Sequence, residues 1–154
     1  MNGVVTTCAR YAAVRSLVRD LKRGDRSAVE SVVTRMRQVL GAMNGVFVPV
    51  PRHDAALPWV MRDVCALLGR TSTCVLRAGQ VPSSHEARRQ QRPVPDLAQH
   101  VAPMVVRGVV VGPIVIVDDV VTSGTTMNAV EQTIRAAGYR GPISRVAFAN
   151  ATRT

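Results

Sequence analysis

Residues 114–126 read Ile114-Val115-Ile116-Val117-Asp118-Asp119-Val120-Val121-Thr122-Ser123-Gly124-Thr125-Thr126. The four β-branched residues 114–117 form a short continuous apolar run, the pattern of a strand buried on both faces. Two adjacent carboxylates stand where that strand should end. Small hydroxyl residues around one glycine come next, and then a helical segment with Met127, Val130, Ile134 and Ala137 on one face. Such a turn cradles an anion, because main-chain N–H groups and hydroxyls converge on it and the positive helix start favours negative charge. The paired carboxylates suit the vicinal hydroxyls of a sugar. Strand, acid pair and loop together predict a ribose 5-phosphate site. A buried strand running into an ordinary capped helix explains the apolar run and a Ser or Thr cap, but not the acid pair joined to a glycine turn.

Working outward, Val46-Phe47-Val48 reads as a second strand ending at Pro49-Val50-Pro51, with Arg52 and His53 just beyond. Backbone N–H groups of this stiff loop and one guanidinium are expected to hold a diphosphate, since arginine offers a fork of donors. Apolar spacing predicts helices over 7–23, over 27–42 with Ser27 as cap, and over 54–68 with Pro58 in the first turn. Residues 73–77 read as a short strand, 98–106 as a strand or irregular turn, and 143–149 as a last strand. Between them, residues 78–96 carry Pro82, Pro93 and Pro95 without periodicity and read as a long mobile loop. Ser83, Ser84, His85, Arg88, Arg89 and Arg92 suit a lid that brings donors over a leaving group and excludes water. His100 receives no role.

Alternating strands and helices predict an α/β fold, a mainly parallel sheet flanked by helices. One domain spans 1–154, with a helical N-terminal part over 1–45 and a core over 46–154. In such sheets ligands sit at the carboxyl ends of strands, where 118–126 falls.

Composition narrows the classes. With 47% apolar residues, 154 residues can fill one core. No apolar run approaches the roughly 18 residues of a membrane span, and the N-terminus lacks a signal layout, so a soluble cytoplasmic protein without membrane partners is expected. Cys8, Cys65 and Cys74 are widely spaced, which argues against a disulfide framework or a four-cysteine zinc site. The net charge of +10 comes almost wholly from arginine, Lys22 being the only lysine, and fits anionic partners. Aromatic residues make up only 3%, which gives little for stacking nucleic-acid bases and leaves nucleic acid a weakly supported partner.

The pattern over 114–126 resembles the phosphoribosyl-pyrophosphate signature of the type I phosphoribosyltransferases. Val48-Pro49-Val50-Pro51 resembles the pyrophosphate loop of the ComF-type members, and Tyr11 to Lys22 looks like the helix that opens the ComF catalytic domain. The paired cysteines of the zinc-ribbon that usually precedes that helix have no counterpart in residues 1–10. The loop over 80–90 keeps a glutamine (Gln80), serines and arginines of the family's pattern, but not the whole.

The resemblance implies a type I phosphoribosyltransferase-like fold with a helical N-terminal hood. It implies Thr122, Ser123, Gly124, Thr125 and Thr126 on the 5-phosphate, and Asp118 and Asp119 on the ribose hydroxyls. Pro49, Val50, Pro51 and Arg52, with Arg88 and Arg89, would hold the pyrophosphate; Asp118, Asp119 and Arg52 would be the catalytic set. Mg²⁺ would come mainly on the substrate pyrophosphate, without a dedicated protein metal site. The partners implied are phosphoribosyl pyrophosphate or a nucleoside monophosphate, an unidentified acceptor, and a second copy, since relatives often dimerise. The alternative is a non-catalytic nucleotide-sensing or nucleic-acid-associated protein that keeps the ribose-phosphate pocket.

Overall fold

In chain order the computed structural model has β1 (Val5–Arg10), α1 (Tyr11–Lys22), α2 (Arg26–Leu40), β2 (Val46–Pro49), α3 (Val60–Leu68), β3 (Val75–Arg77), α4 (Ser84–Arg89), α5 (Leu97–Val101), β4 (Met104–Val106), β5 (Ile114–Val121), α6 (Thr125–Ala136) and β6 (Ile143–Asn150). It describes residues 4–54, 56–79, 81–82 and 84–152, the side chains of Ser84 and His85 apart. Gln80 and Ser83 of the expected lid lie outside the described residues.

The β-branched run builds the centre of a parallel four-stranded sheet of order β1-β6-β5-β2. Both faces of β5 are covered, which is why the run is continuous rather than alternating. On one face Val115 and Val117 pack with Phe47, Val146 and Phe148 under α1, α2 and α3. On the other, Ile114, Ile116 and Val48 pack under α6 and the antiparallel β3–β4 pair. The fold is α/β, a mainly parallel sheet flanked by helices. No helix among the described residues is long and apolar enough to cross a membrane.

The path of the chain explains where a site opens. From β1 at one edge, the chain crosses over the α1–α2 face to β2 at the other. It continues outward past α3 on that face to an isolated parallel bridge between Thr71 and Phe47. From β5 it turns the opposite way, over the α6 face, to β6. Reversing both direction and face keeps the crossovers of one hand. The loops after β2 and β5 therefore diverge and leave a crevice at the carboxyl ends of these neighbouring strands. Register deepens it. Pro49 ends β2 opposite Val117, whereas β5 runs on to Val121, pairing with β6 through Asp118 opposite Ala147 and Val120 opposite Ala149.

Several boundaries differ from the sequence reading. Residues 5–10 are strand β1, not part of a helix over 7–23; the β-branched Val5, Thr6 and Thr7 pair along β6 from Arg145 to Ala147, and the helix starts only at Tyr11. The 1–45 part is thus not wholly helical, and its helices share the sheet's own apolar cluster. Asp25, not Ser27, caps α2, accepting from Ala28 N at 2.8 Å. The third helix starts at Val60 rather than Asp54, because the Asp54 side chain closes a turn onto Ala56 N and Pro58 disfavours helical backbone at Leu57. Part of the expected loop over 78–96 is helix α4, held down by buried Val81 and Ala87. Within 98–106, α5 begins at a capping box between Asp96 and Gln99, and β4 follows it.

Candidate functional site

The crevice forms a cavity of about 330 Å³. From β5 and the loop after it come Asp118, Asp119, Thr122 and Thr126; from the loop after β2 come Val50, Pro51, Arg52 and His53. Lys22, on the last turn of α1, Asp54 and Arg88 of α4 complete the charged lining. Two sequence segments far apart in the chain, the acid pair with its loop and the 50–53 segment, thus share one cavity.

The acid pair lies inside β5 instead of beyond it, on the stretch that outruns β2. Asp118 Oδ1 accepts from the N–H of Asp119 at 2.8 Å, and Asp119 Oδ1 from the N–H of Val120 at 2.7 Å. Asp119 Oδ2 meets Lys22 Nζ at 3.3 Å. Burial, and then the neighbouring Asp119 carboxylate, raise the Asp118 carboxyl well above the usual carboxylate range. Burial alone would lower Lys22, but Asp119 and Asp118 outweigh it and hold the ammonium above its ordinary value. The pair therefore offers one carboxyl that readily keeps a proton beside one neutralised by an ammonium, a mix of donor and acceptors suited to sugar hydroxyls.

Thr122 to Gly124 form the turn into α6. Gly124 is the helix N-cap in the left-handed region at φ 76°, and it provides no side-chain cap. Glycine takes that backbone without strain. Ser123 Oγ and Thr125 Oγ1 lie 2.8 Å apart and exposed, so their hydroxyls already converge at the positive end of a twelve-residue helix. Thr122 and Thr126 face the cavity. The helix is pinned to the sheet by Arg145 of β6, whose Nε donates to Glu131 Oε2 at 2.8 Å and whose Nη1 donates to Asn128 Oδ1.

The loop after β2 departs from the sequence reading. Backbone donors from Pro49, Val50 and Pro51 cannot hold a diphosphate. Both prolines lack an N–H, and the N–H of Val50 is spent on Val117 O at 2.9 Å. Val50 and Pro51 serve as wall instead, braced by Trp59 Nε1 donating to Val50 O at 3.0 Å. The cation on this side is Arg52, exposed, with Nη1 donating to Leu57 O at 2.9 Å. Arg88 also lines the cavity, whereas Arg89 and Arg92 are exposed outside its lining.

Behind this loop lies a cluster that has no role in the sequence reading. Arg77 Nη1 meets His53 Nδ1 at 3.1 Å, and the His53 and His100 rings stand edge-on at 6.4 Å. Burial, then the Arg77 charge, bring His53 down to about 4, which leaves its ring neutral and able to accept from Arg77. His100 is buried at 1% exposure, and neither of its ring nitrogens has a hydrogen-bond partner among the described residues. Nothing in the sequence marks Arg77, because its partner His53 lies 24 residues away. Lys22 was legible only as the sole lysine; its reach to Asp119 depends on how α1 crosses the sheet.

Among the described residues, no group of three or more His, Cys, Asp or Glu side chains gathers to hold a metal ion. A Mg²⁺ carried by a ligand's own phosphate oxygens makes no demand for such a group. No protein-family model matches the chain, and no curated protein matches it.

Proposed function

We propose that this chain is a ComF-like phosphoribosyltransferase with a type I phosphoribosyltransferase-like fold. It binds magnesium phosphoribosyl pyrophosphate and transfers the phosphoribosyl group to an acceptor with release of pyrophosphate. One observation carries the reading: the acid pair and the hydroxyl loop of β5 share a single cavity with Arg52, at the point where the chain path reverses.

In this reading Thr122, Ser123, Gly124, Thr125 and Thr126 take the 5-phosphate at the start of α6, and Asp118 and Asp119 bind the ribose hydroxyls. Arg52 and Arg88 face the diphosphate. Mg²⁺ would be carried by diphosphate and water oxygens, with Asp118 and Asp119 as the protein carboxylates on the same cavity, and when bound it neutralises the leaving group. The acceptor's lone pair forms a bond to the ribose C1, the C1–O bond to pyrophosphate breaks with its electron pair going to that oxygen, and the acceptor loses a proton. The chain's own contribution is positioning and electrostatics, since the cavity offers a sugar clamp and cations but no side chain placed as a nucleophile.

The test is pyrophosphate release from phosphoribosyl pyrophosphate and Mg²⁺ across a panel of bases. The reading requires acceptor-dependent release that falls in Asp118→Asn and Arg52→Ala. A second reading, ligand sensing at nucleic acid without transfer, draws on Arg15 and Arg19 of α1 and Arg23 at its C-cap, all exposed and four residues apart. Binding to DNA or RNA that weakens steeply with salt, together with no release on any acceptor, would favour it.

A further inference from the structure

In the acid pair, one oxygen of each carboxylate is committed to the main chain: Asp118 Oδ1 to Asp119 N–H, and Asp119 Oδ1 to Val120 N–H. Asp119 Oδ2 is not part of these main-chain bonds. Lys22 Nζ stands 3.3 Å from Asp119 Oδ2, so in the empty site the lysine holds an oxygen that a sugar hydroxyl would also use. Lys22 follows buried Leu21 at the end of α1, and 60% of its own side chain is exposed. A compact ammonium on a flexible stem can change partners without moving the fold. Arg52 differs, because its guanidinium is already tied to the Leu57 carbonyl. Among the cations that line this cavity, Lys22 is the one ion-paired to the acid pair.

Resting on the function proposed above, we infer that Lys22 is a positioning residue that exchanges partners. It neutralises Asp119 in the empty site, yields Asp119 Oδ2 to the ribose hydroxyls, and then pairs with the diphosphate of the same ligand. A cation thus reaches the leaving group only once the sugar is seated.

The exchange makes opposite demands on the two halves of the ligand. In Lys22→Met, calorimetry should show ribose 5-phosphate binding several-fold tighter, because its competitor is gone. Magnesium pyrophosphate should bind about tenfold more weakly, the loss expected for one charge-assisted contact. Lys22→Arg should restore part of the pyrophosphate affinity. Equal weakening of both ligands marks a merely structural lysine and overturns the inference, as does no change in either. A readout on the native protein removes dependence on how the variant folds. Reductive methylation with ¹³C-formaldehyde labels the single lysine, and its methyl signal should move on adding ribose 5-phosphate and again on adding magnesium pyrophosphate. A signal that stays in place while both ligands bind overturns the exchange but leaves the proposed function standing. A native protein that binds neither ligand overturns both.

Discussion

The main-chain N–H of Val50 donates to the carbonyl of Val117 at 2.9 Å, and this bond sets the two halves of the site against each other. Up to it, β2 and β5 run side by side. Past it, β2 turns away as the loop carrying Arg52, and β5 continues through Asp118 and Asp119. The same bond removes the one main-chain donor that 49–51 possess. In the proposed function, diphosphate recognition on this side would therefore fall to side chains.

Arg52, on the cavity wall, is the side chain proposed for that role. Arg52→Ala should weaken magnesium pyrophosphate binding about tenfold, as expected for loss of one charge-assisted fork. Calorimetry on the variant checks it, and an unchanged affinity removes Arg52 from the site.

Gly124 is required by backbone, not by space. A Cβ there would meet only Val121 Cγ2, at 3.9 Å, but the residue sits at φ 76°. Gly124→Ala should cost about 1–2 kcal/mol for the left-handed conformation, seen as a fall in melting temperature of roughly 2–8 °C in a domain of this size. It should also weaken ribose 5-phosphate binding, because the hydroxyl turn is displaced. A variant with the native melting temperature and affinity would show that the turn tolerates a side chain.

His53 predicts a definite pH response. Its folded value of about 4 lies below the ordinary 6.5. Between those values the unfolded chain takes a proton that the fold refuses, so stability falls as pH drops from about 6.5 to about 4. His100 is shifted the same way, and Asp118, raised in the fold, acts oppositely, its stabilising share being lost as pH rises through its folded value. His53→Gln should flatten the decline across that window in a series of melting curves; an unaltered slope would contradict a buried, neutral His53.

His100 is a candidate for stabilisation. Its ring nitrogens are buried without partners among the described residues, and a buried group in that condition costs about 1–3 kcal/mol. His100→Leu should raise stability in urea by about 1 kcal/mol. A loss of similar size would mean that the ring is satisfied in solution.

What the sequence disclosed divides along physical lines. Residues 114–126 and 46–53 were readable because local chemistry dictates them: a β-branched run, a glycine that must turn, prolines that stiffen a strand end. The α/β class followed from those elements alternating. Strand β1 was missed because the apolar spacing of Tyr11 to Leu21 extends by eye into 7–10, and only pairing with β6 decides that stretch. The α3 start was missed because Pro58 fits a first helical turn in isolation, whereas the Asp54 side chain closes a competing turn. Lys22 on Asp119, and Arg77 on His53, are illegible in the sequence, since each joins segments that only the packed fold brings together.

The central claim is that Asp118, Asp119 and the 122–126 loop bind a phosphoribosyl ligand. Calorimetric titration with magnesium phosphoribosyl pyrophosphate tests it most directly, on the native protein and on an Asp118→Asn, Asp119→Asn double variant. Saturable one-to-one binding by the native protein is expected, tighter than about 1 mM, the weak end of ordinary substrate affinities. That binding should be lost in the double variant while its circular dichroism spectrum stays native. No heat of binding to the native protein, or equal affinity in the folded double variant, would contradict the claim.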